Sequence, residues 1–147
     1  MSVKPNYLYP YKSFNLKPFP SSKRSVEIRR PIIPVTVIYG KRLVQFEALL
    51  DSGADYNIFP GDIAIYLGIN LKQGSKRNIH GISGNSINGY QHQVKLKIAD
   101  QIYRTSITFS NNLPENALAV LGNIGFFDHF SVLFDYKEGQ VTLWTKN

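Results

Sequence analysis

With 147 residues, 43% of them apolar, the chain has room for one packed core and too much apolar character to stay unfolded. It contains no cysteine, which excludes a disulfide framework, a thiol nucleophile and a thiolate metal site, and suits a reducing, cytoplasmic setting. A net charge of +7 would suggest a polyanion partner if it were spread over the fold. Instead, residues 1 to 30 hold seven of the seventeen Lys and Arg against Glu27 alone, a net of +6, which leaves +1 for the other 117 residues.

Residues 1 to 30 read as a basic, proline- and aromatic-rich arm, distinct from a folded domain over 31 to 147. Pro5, Pro10, Pro18 and Pro20 prevent a continuous helix there and favour an extended strap. Tyr7, Tyr9, Tyr11, Phe14 and Phe19 are too many aromatic rings for a solvated tail, so some are expected to dock on the domain or on a partner chain. No uninterrupted apolar stretch marks a signal peptide or a membrane span in residues 1 to 12.

From Pro31 the pattern is that of β-structure. Ile32 to Tyr39 and Leu43 to Leu50 flank a Gly40-Lys41 turn, and Val44, Phe46, Ala48 and Leu50 alternate with polar Gln45 and Glu47, which predicts a hairpin with one buried face. Pro60 to Leu67 fits a short helix ended by Gly68, and Ile69 to Leu71 restarts a strand. Asn78 to Ile82 and Ile87 to Ile98 form a long hairpin with the polar tip Ser83-Gly84-Asn85-Ser86. Ile102 to Phe109 is a further strand, and the apolar run Ala117 to Leu121 is a central one. Asn123 to Phe130 spaces its apolar residues as a short helix, and Val132 to Tyr136 and Gln140 to Trp144 close the chain as a hairpin around Gly139. No internal repeat is present.

The segment Ala48-Leu49-Leu50-Asp51-Ser52-Gly53-Ala54-Asp55 admits two readings. Alone, Asp-Ser-Gly is a β-turn. In context it resembles the catalytic loop of retroviral-type aspartic proteases, the retropepsins, in which two apolar residues precede Asp-Thr/Ser-Gly-Ala. Ala119-Val120-Leu121-Gly122 is similar to the apolar-apolar-Gly element that passes beneath that loop. Ile79-His80-Gly81-Ile82-Ser83-Gly84 resembles the flap, and Arg30-Pro31-Ile32-Ile33-Pro34-Val35 the first core strand. The four motifs stand in the family's order over about residues 30 to 144.

The resemblance implies an all-β acid-protease fold: a closed, orthogonal β-barrel with a flap hairpin and one or two short helices, a half-site monomer that dimerises. It implies an aspartic endopeptidase with Asp51 as catalytic residue, supported by Ser52, Gly53 and Ala54, and with Asp55, Gly81, Ile82, Ser83, Gly84 and Leu121 on the substrate. Hydrolysis without metal or cofactor needs one group to deprotonate water and another to protonate the leaving amide, which two carboxylates sharing a proton can do. The chain has one such triplet, so the second Asp51 comes from a symmetric copy. Ala54 stands where many aspartic proteases carry a hydroxyl, which implies a pH optimum nearer neutrality than pepsin's. The family's arginine partner for Asp55 follows the glycine of the second motif; here that residue is Asn123, and Arg30 is the candidate substitute.

Two other readings use the same residues: an inactive peptide-binding or dimerisation module of the same fold, and a nucleic-acid contact confined to the basic arm. His80, His92 and His129 lack the spacing of metal ligands and read as surface residues. Asp62, Asp128 and Asp135 fit helix-end and turn positions, and Leu143 and Trp144 fit a core or a dimer interface.

Overall fold

The computed structural model describes residues 6–81 and 84–145. Twelve strands and one short helix follow in order among them: β1 (Asn6–Pro10), β2 (Lys12–Leu16), β3 (Val26–Arg30), β4 (Ile32–Tyr39), β5 (Arg42–Leu50), β6 (Ile58–Pro60), α1 (Gly61–Tyr66), β7 (Ser75–His80), β8 (Ser86–Ile98), β9 (Gln101–Ser110), β10 (Ala119–Leu121), β11 (Phe130–Asp135) and β12 (Gln140–Thr145). The main sheet runs β4-β5-β10-β6-β9-β8-β7, and a further pairing of β4 with β8 closes its first six strands into a barrel. Closure leaves no open edge among those six, and β7 hangs from β8 as the outer half of a hairpin.

Alternation decides what fills the barrel. Ile33, Val35 and Val37 of β4 are fully buried while Pro34 is exposed, and on β8 Val94, Leu96 and Ile98 are buried between exposed Gln93, Lys95 and Lys97. Phe59 sits at the centre, its ring 6.3 Å from Phe46 and 6.4 Å from Phe109. Each fully buried aliphatic or aromatic side chain of this kind contributes about 1.5–3 kcal/mol, so the barrel is the main source of stability.

The arm is built into the fold. β1 pairs antiparallel with β12, which pairs with β11, giving the three-stranded sheet β1-β12-β11; among the described residues β2 and β3 pair only with each other. Tyr7, Tyr9 and Tyr11, spaced two apart, pack their rings against the core. The Tyr7 hydroxyl donates to the Asp100 carboxylate, and Gln101 Nε2 donates to the Tyr7 hydroxyl at 3.2 Å, tying the arm to the β8–β9 turn. The Tyr7–Asp100 bond holds the Tyr7 hydroxyl above its ordinary value and, with a second bond from Gln101 Nε2 to Asp100, holds the Asp100 carboxyl below its own. The lowered carboxylate contributes above its unfolded value of 3.8 and ceases to contribute as pH falls through its folded value; the raised phenol contributes until pH climbs past 10. Amide exchange in β1 should therefore accelerate, relative to the barrel strands, as pH drops below about 3.8, and Tyr7→Phe should remove that acid dependence.

Three expectations need correction. Ile69 to Leu71 is not a strand: a single 3-10 turn occupies Leu71–Gln73, and β7 begins earlier than expected, at Ser75. The central apolar run forms a strand only over Ala119–Leu121. Asn123 to Phe130 is not a helix, because Gly125 takes φ +107° and Ile124 bridges to Tyr56. The segment is instead a string of turns, with Phe127 N–H bonded to the Gly122 carbonyl and Phe130 N–H to that of Phe126.

Candidate active site

β5 delivers Asp51 to the end of a buried strand, and β10 runs parallel to it with Val120 opposite Leu49 and Leu121 opposite Leu50. Asp51 N–H donates to the Leu121 carbonyl at 3.0 Å, and the chain then turns through an Ala54 N–H bond to the Asp51 carbonyl at 3.0 Å. The half-buried Asp51 carboxylate accepts the Gly53 N–H at 2.9 Å. A Cβ on Gly53 would lie 3.2 Å from that same oxygen, so the glycine permits the close approach. The loop is tied again from the other side: Asn123 N–H donates to the Ala54 carbonyl and Ile124 N–H to that of Asp55, both at 2.9 Å. Tyr103 and Thr105 hydroxyls donate to the Gly125 carbonyl at 2.9 and 3.1 Å, and burial pushes the Tyr103 phenol well above its ordinary range.

Asn57, which sequence reasoning passed over, joins the two loops. It is buried, accepts the Gly122 N–H at 3.0 Å and donates through Nδ2 to the Ser106 carbonyl at 3.2 Å. The available signal was a lone amide inside the otherwise apolar run Tyr56-Asn57-Ile58-Phe59, since a buried polar side chain must find partners. Asn57→Leu keeps the branched shape and strands both backbone groups. It should cost about 2–3 kcal/mol, read as a lower denaturation midpoint with an unchanged m-value.

Asp51 opens into a cleft of about 920 Å³ walled on one side by Gly53, Ala54, Asp55, Tyr56, Ile58 and Val120, and on the other by the β7–β8 hairpin through Asn78–Gly81 and Asn85–Ile87. Of the residues expected at the substrate, Asp55 and Gly81 line this cleft. Gly84 lies on the exposed hairpin at φ +79°, and Ile82 and Ser83 fall outside the described residues. Leu121 is fully buried in the core, and its neighbour Val120 is the side chain that faces the cleft. Ser52 is exposed. Among the described residues Asp55 makes no ion pair; Arg30 lies over the Phe14 ring, 5.3 Å from its centre. His80 lines the cleft, His92 bonds the Leu71 carbonyl through Nε2, and His129 lies beside Asp128. Among the described residues no cluster of three or more His, Asp or Glu is placed to hold a metal ion, and no helix is long and apolar enough to cross a membrane.

No family model matches the chain, and neither does any curated protein. Solved structures do. A retropepsin-like aspartic protease from Rickettsia conorii superposes on 95% of this chain and 98% of its own, with a TM-score of 0.62 at 13% identity. The chain has the retropepsin-like fold. EIAV protease, complexed with the inhibitor HBY-793, aligns over 63% of this chain and 81% of its own at 22% identity, with a TM-score of 0.48. At such identities the likeness is one of fold, and the chemistry of the site has to be argued from its own residues.

Proposed function

We propose that the chain is one subunit of a homodimeric aspartic endopeptidase that hydrolyses peptide bonds with water activated between two Asp51 carboxylates. The observation that carries this reading is Asp51 itself: a single Asp-Ser-Gly loop, fixed by backbone bonds to β10, presents one half-buried carboxylate to a long cleft. One carboxylate cannot serve as base and acid at once. A second copy supplies the other, with Ser52 bracing the two loops across the axis.

In the paired site one Asp51 takes a proton from water as the oxygen attacks the peptide carbonyl carbon. The other, protonated, gives its proton toward the departing amide, and the C–N bond breaks. Asp55 and the β7–β8 hairpin line the cleft where an extended peptide would lie. The hairpin's backbone at Gly81 and Gly84 supplies groups that bond the peptide and exclude water from the reaction. The walls Ile58, Val120, Ile79 and Ile87 favour apolar substrate side chains. The lack of a hydroxyl at Ala54 places the pH optimum nearer neutrality, and a pH–rate maximum below about 3.5, short of the reference Asp value of about 3.9, would count against that.

The test is cleavage of a mixed peptide library at a series of protein concentrations, with solution mass measured on the same samples. Activity per chain should rise with concentration as dimers form, then level off. Activity per chain that stays constant into the monomeric range would show that one chain suffices.

A further inference from the structure

Of the seven basic residues in positions 1 to 30, Lys4 lies outside the described residues and three are engaged by the fold. Lys12 pairs with Glu47, Arg29 lies over the Tyr136 ring and donates to the Tyr136 carbonyl at 2.6 Å, and Arg30 lies over Phe14. The other three, Lys17, Lys23 and Arg24, stand together in the turn that joins β2 to β3. All three are exposed, and none makes an ion pair among the described residues. No Asp or Glu occurs from Leu16 to Val26 to offset them.

The same end of the hairpin is apolar. Leu16 and Val26 are register partners, so their side chains lie side by side on one face, continuing the line of Phe14 opposite Ile28. Phe14 and Ile28 are half-buried, whereas Leu16 is 42% exposed and Val26 48%. Phe19, in the turn, is 68% exposed, more than any other large apolar residue among those described. A two-stranded ribbon that pairs with no other described strand gains little by folding alone, so nothing offsets the exposure of its apolar end. The turn is nevertheless well formed: Ser22 N–H donates to the Phe19 carbonyl and the Ser22 hydroxyl to the Arg24 carbonyl, both at 2.9 Å. Pro18 and Pro20, on either side of Phe19, have no N–H to strip of water.

Unpaired cations flanking bare aliphatic and aromatic side chains match a surface that is anionic outside and hydrocarbon beneath. We propose that the β2–β3 hairpin docks on a membrane leaflet containing anionic phospholipid. Phe19, Leu16 and Val26 enter the boundary between headgroups and acyl chains, and Lys17, Lys23 and Arg24 lie against the headgroup phosphates. The contact is peripheral, as no described helix is long and apolar enough to cross a membrane. A nucleic acid would engage the same cations but leave Leu16 and Val26 uncovered, since bases stack on aromatic and guanidinium planes. Docking places no demand on Asp51 and stands apart from the peptidase reading.

Flotation of the full chain with lipid vesicles tests this. At about fivefold per cation near the surface, affinity for phosphatidylcholine vesicles containing roughly one-third phosphatidylserine should exceed that for pure phosphatidylcholine by roughly 10²-fold, and should fall as salt rises. Phe19→Ser should weaken binding by about tenfold or more, and Lys17→Glu, Lys23→Glu and Arg24→Glu together should abolish it, with far-ultraviolet spectra unchanged. Reversing the exposed barrel pair, Lys95→Glu with Arg104→Glu, should change it by no more than about twofold, which separates docking from the general attraction of a basic chain. Equal binding to the two vesicle types, or binding that survives the hairpin variants, would overturn the docking. So would single-stranded RNA held through the three cations with no vesicle binding, or a dimer that Phe19→Ser dissociates with no vesicle binding, which would make a second copy the occupant. Vesicle binding without peptide cleavage would leave the docking in place and remove only the peptidase reading.

Discussion

Asp51→Asn should lower peptide hydrolysis by roughly 10²- to 10⁴-fold, the usual contribution of a positioned acid or base, and leave the fold intact. The amide oxygen can still accept the Gly53 N–H that the Asp51 carboxylate accepts at 2.9 Å, and the loop's other ties run through backbone atoms that the substitution does not touch. The thermal midpoint should therefore shift by no more than a few degrees, while neither copy can any longer take a proton from water. Library cleavage measured alongside thermal unfolding separates the two effects. Equal rates in wild type and variant would remove Asp51 from the chemistry.

Gly122→Ala should be strongly destabilising. A Cβ there would stand 2.6 Å from the Tyr56 carbonyl oxygen and 2.7 Å from that of Ala54, and neither oxygen belongs to a flexible side chain. The Ala54 carbonyl already accepts the Asn123 N–H, so relieving the clash pulls β10 away from the Asp51 loop and breaks that bond as well. The expected cost is about 3 kcal/mol or more, enough to unfold a marginally stable domain. Gly40→Ala is the control: its φ of +58° penalises a side chain, but no atom lies within 4 Å, so about 1 kcal/mol should be lost. A urea titration giving equal losses at the two glycines would show that the two loops do not interlock as described.

Those two residues illustrate what could be read in advance. The Asp51 loop and the Gly122 element were legible because short apolar runs ending in turn residues are local signals, and their order along the chain matched a known family. The β4–β5 hairpin was legible for a similar reason: Val44, Phe46, Ala48 and Leu50 alternate, and Gly40 has the positive φ its turn requires. Asn57 was missed because its meaning depends on Gly122, sixty-five residues away, and on Ser106, which no local pattern connects to it.

The arm shows the same limit. Its prolines and charges mark an extended basic segment, yet Tyr7, Tyr9 and Tyr11 repeat every second residue, the period of a strand with one face covered. The strand that β1 pairs with lies more than a hundred residues on, in β12, and pairing at such range is set by the assembled core rather than by local preference. The segment after Gly122 erred in the opposite direction. Its apolar spacing satisfies a helix, but Gly125 at φ +107° and the Ile124 bridge divert the backbone into turns that lie against the Asp51 loop. Local periodicity there was overruled by the hydrogen bonds that hold the site.

Mixing subunits tests the central claim most directly, because it asks whether one active site draws on two chains. When nine Asp51→Asn chains are equilibrated with each wild-type chain, most wild-type subunits pair with an inert copy. Peptide cleavage per wild-type chain should then fall to about one-tenth of its value alone. Cleavage per wild-type chain that is unchanged by the excess would contradict the shared site.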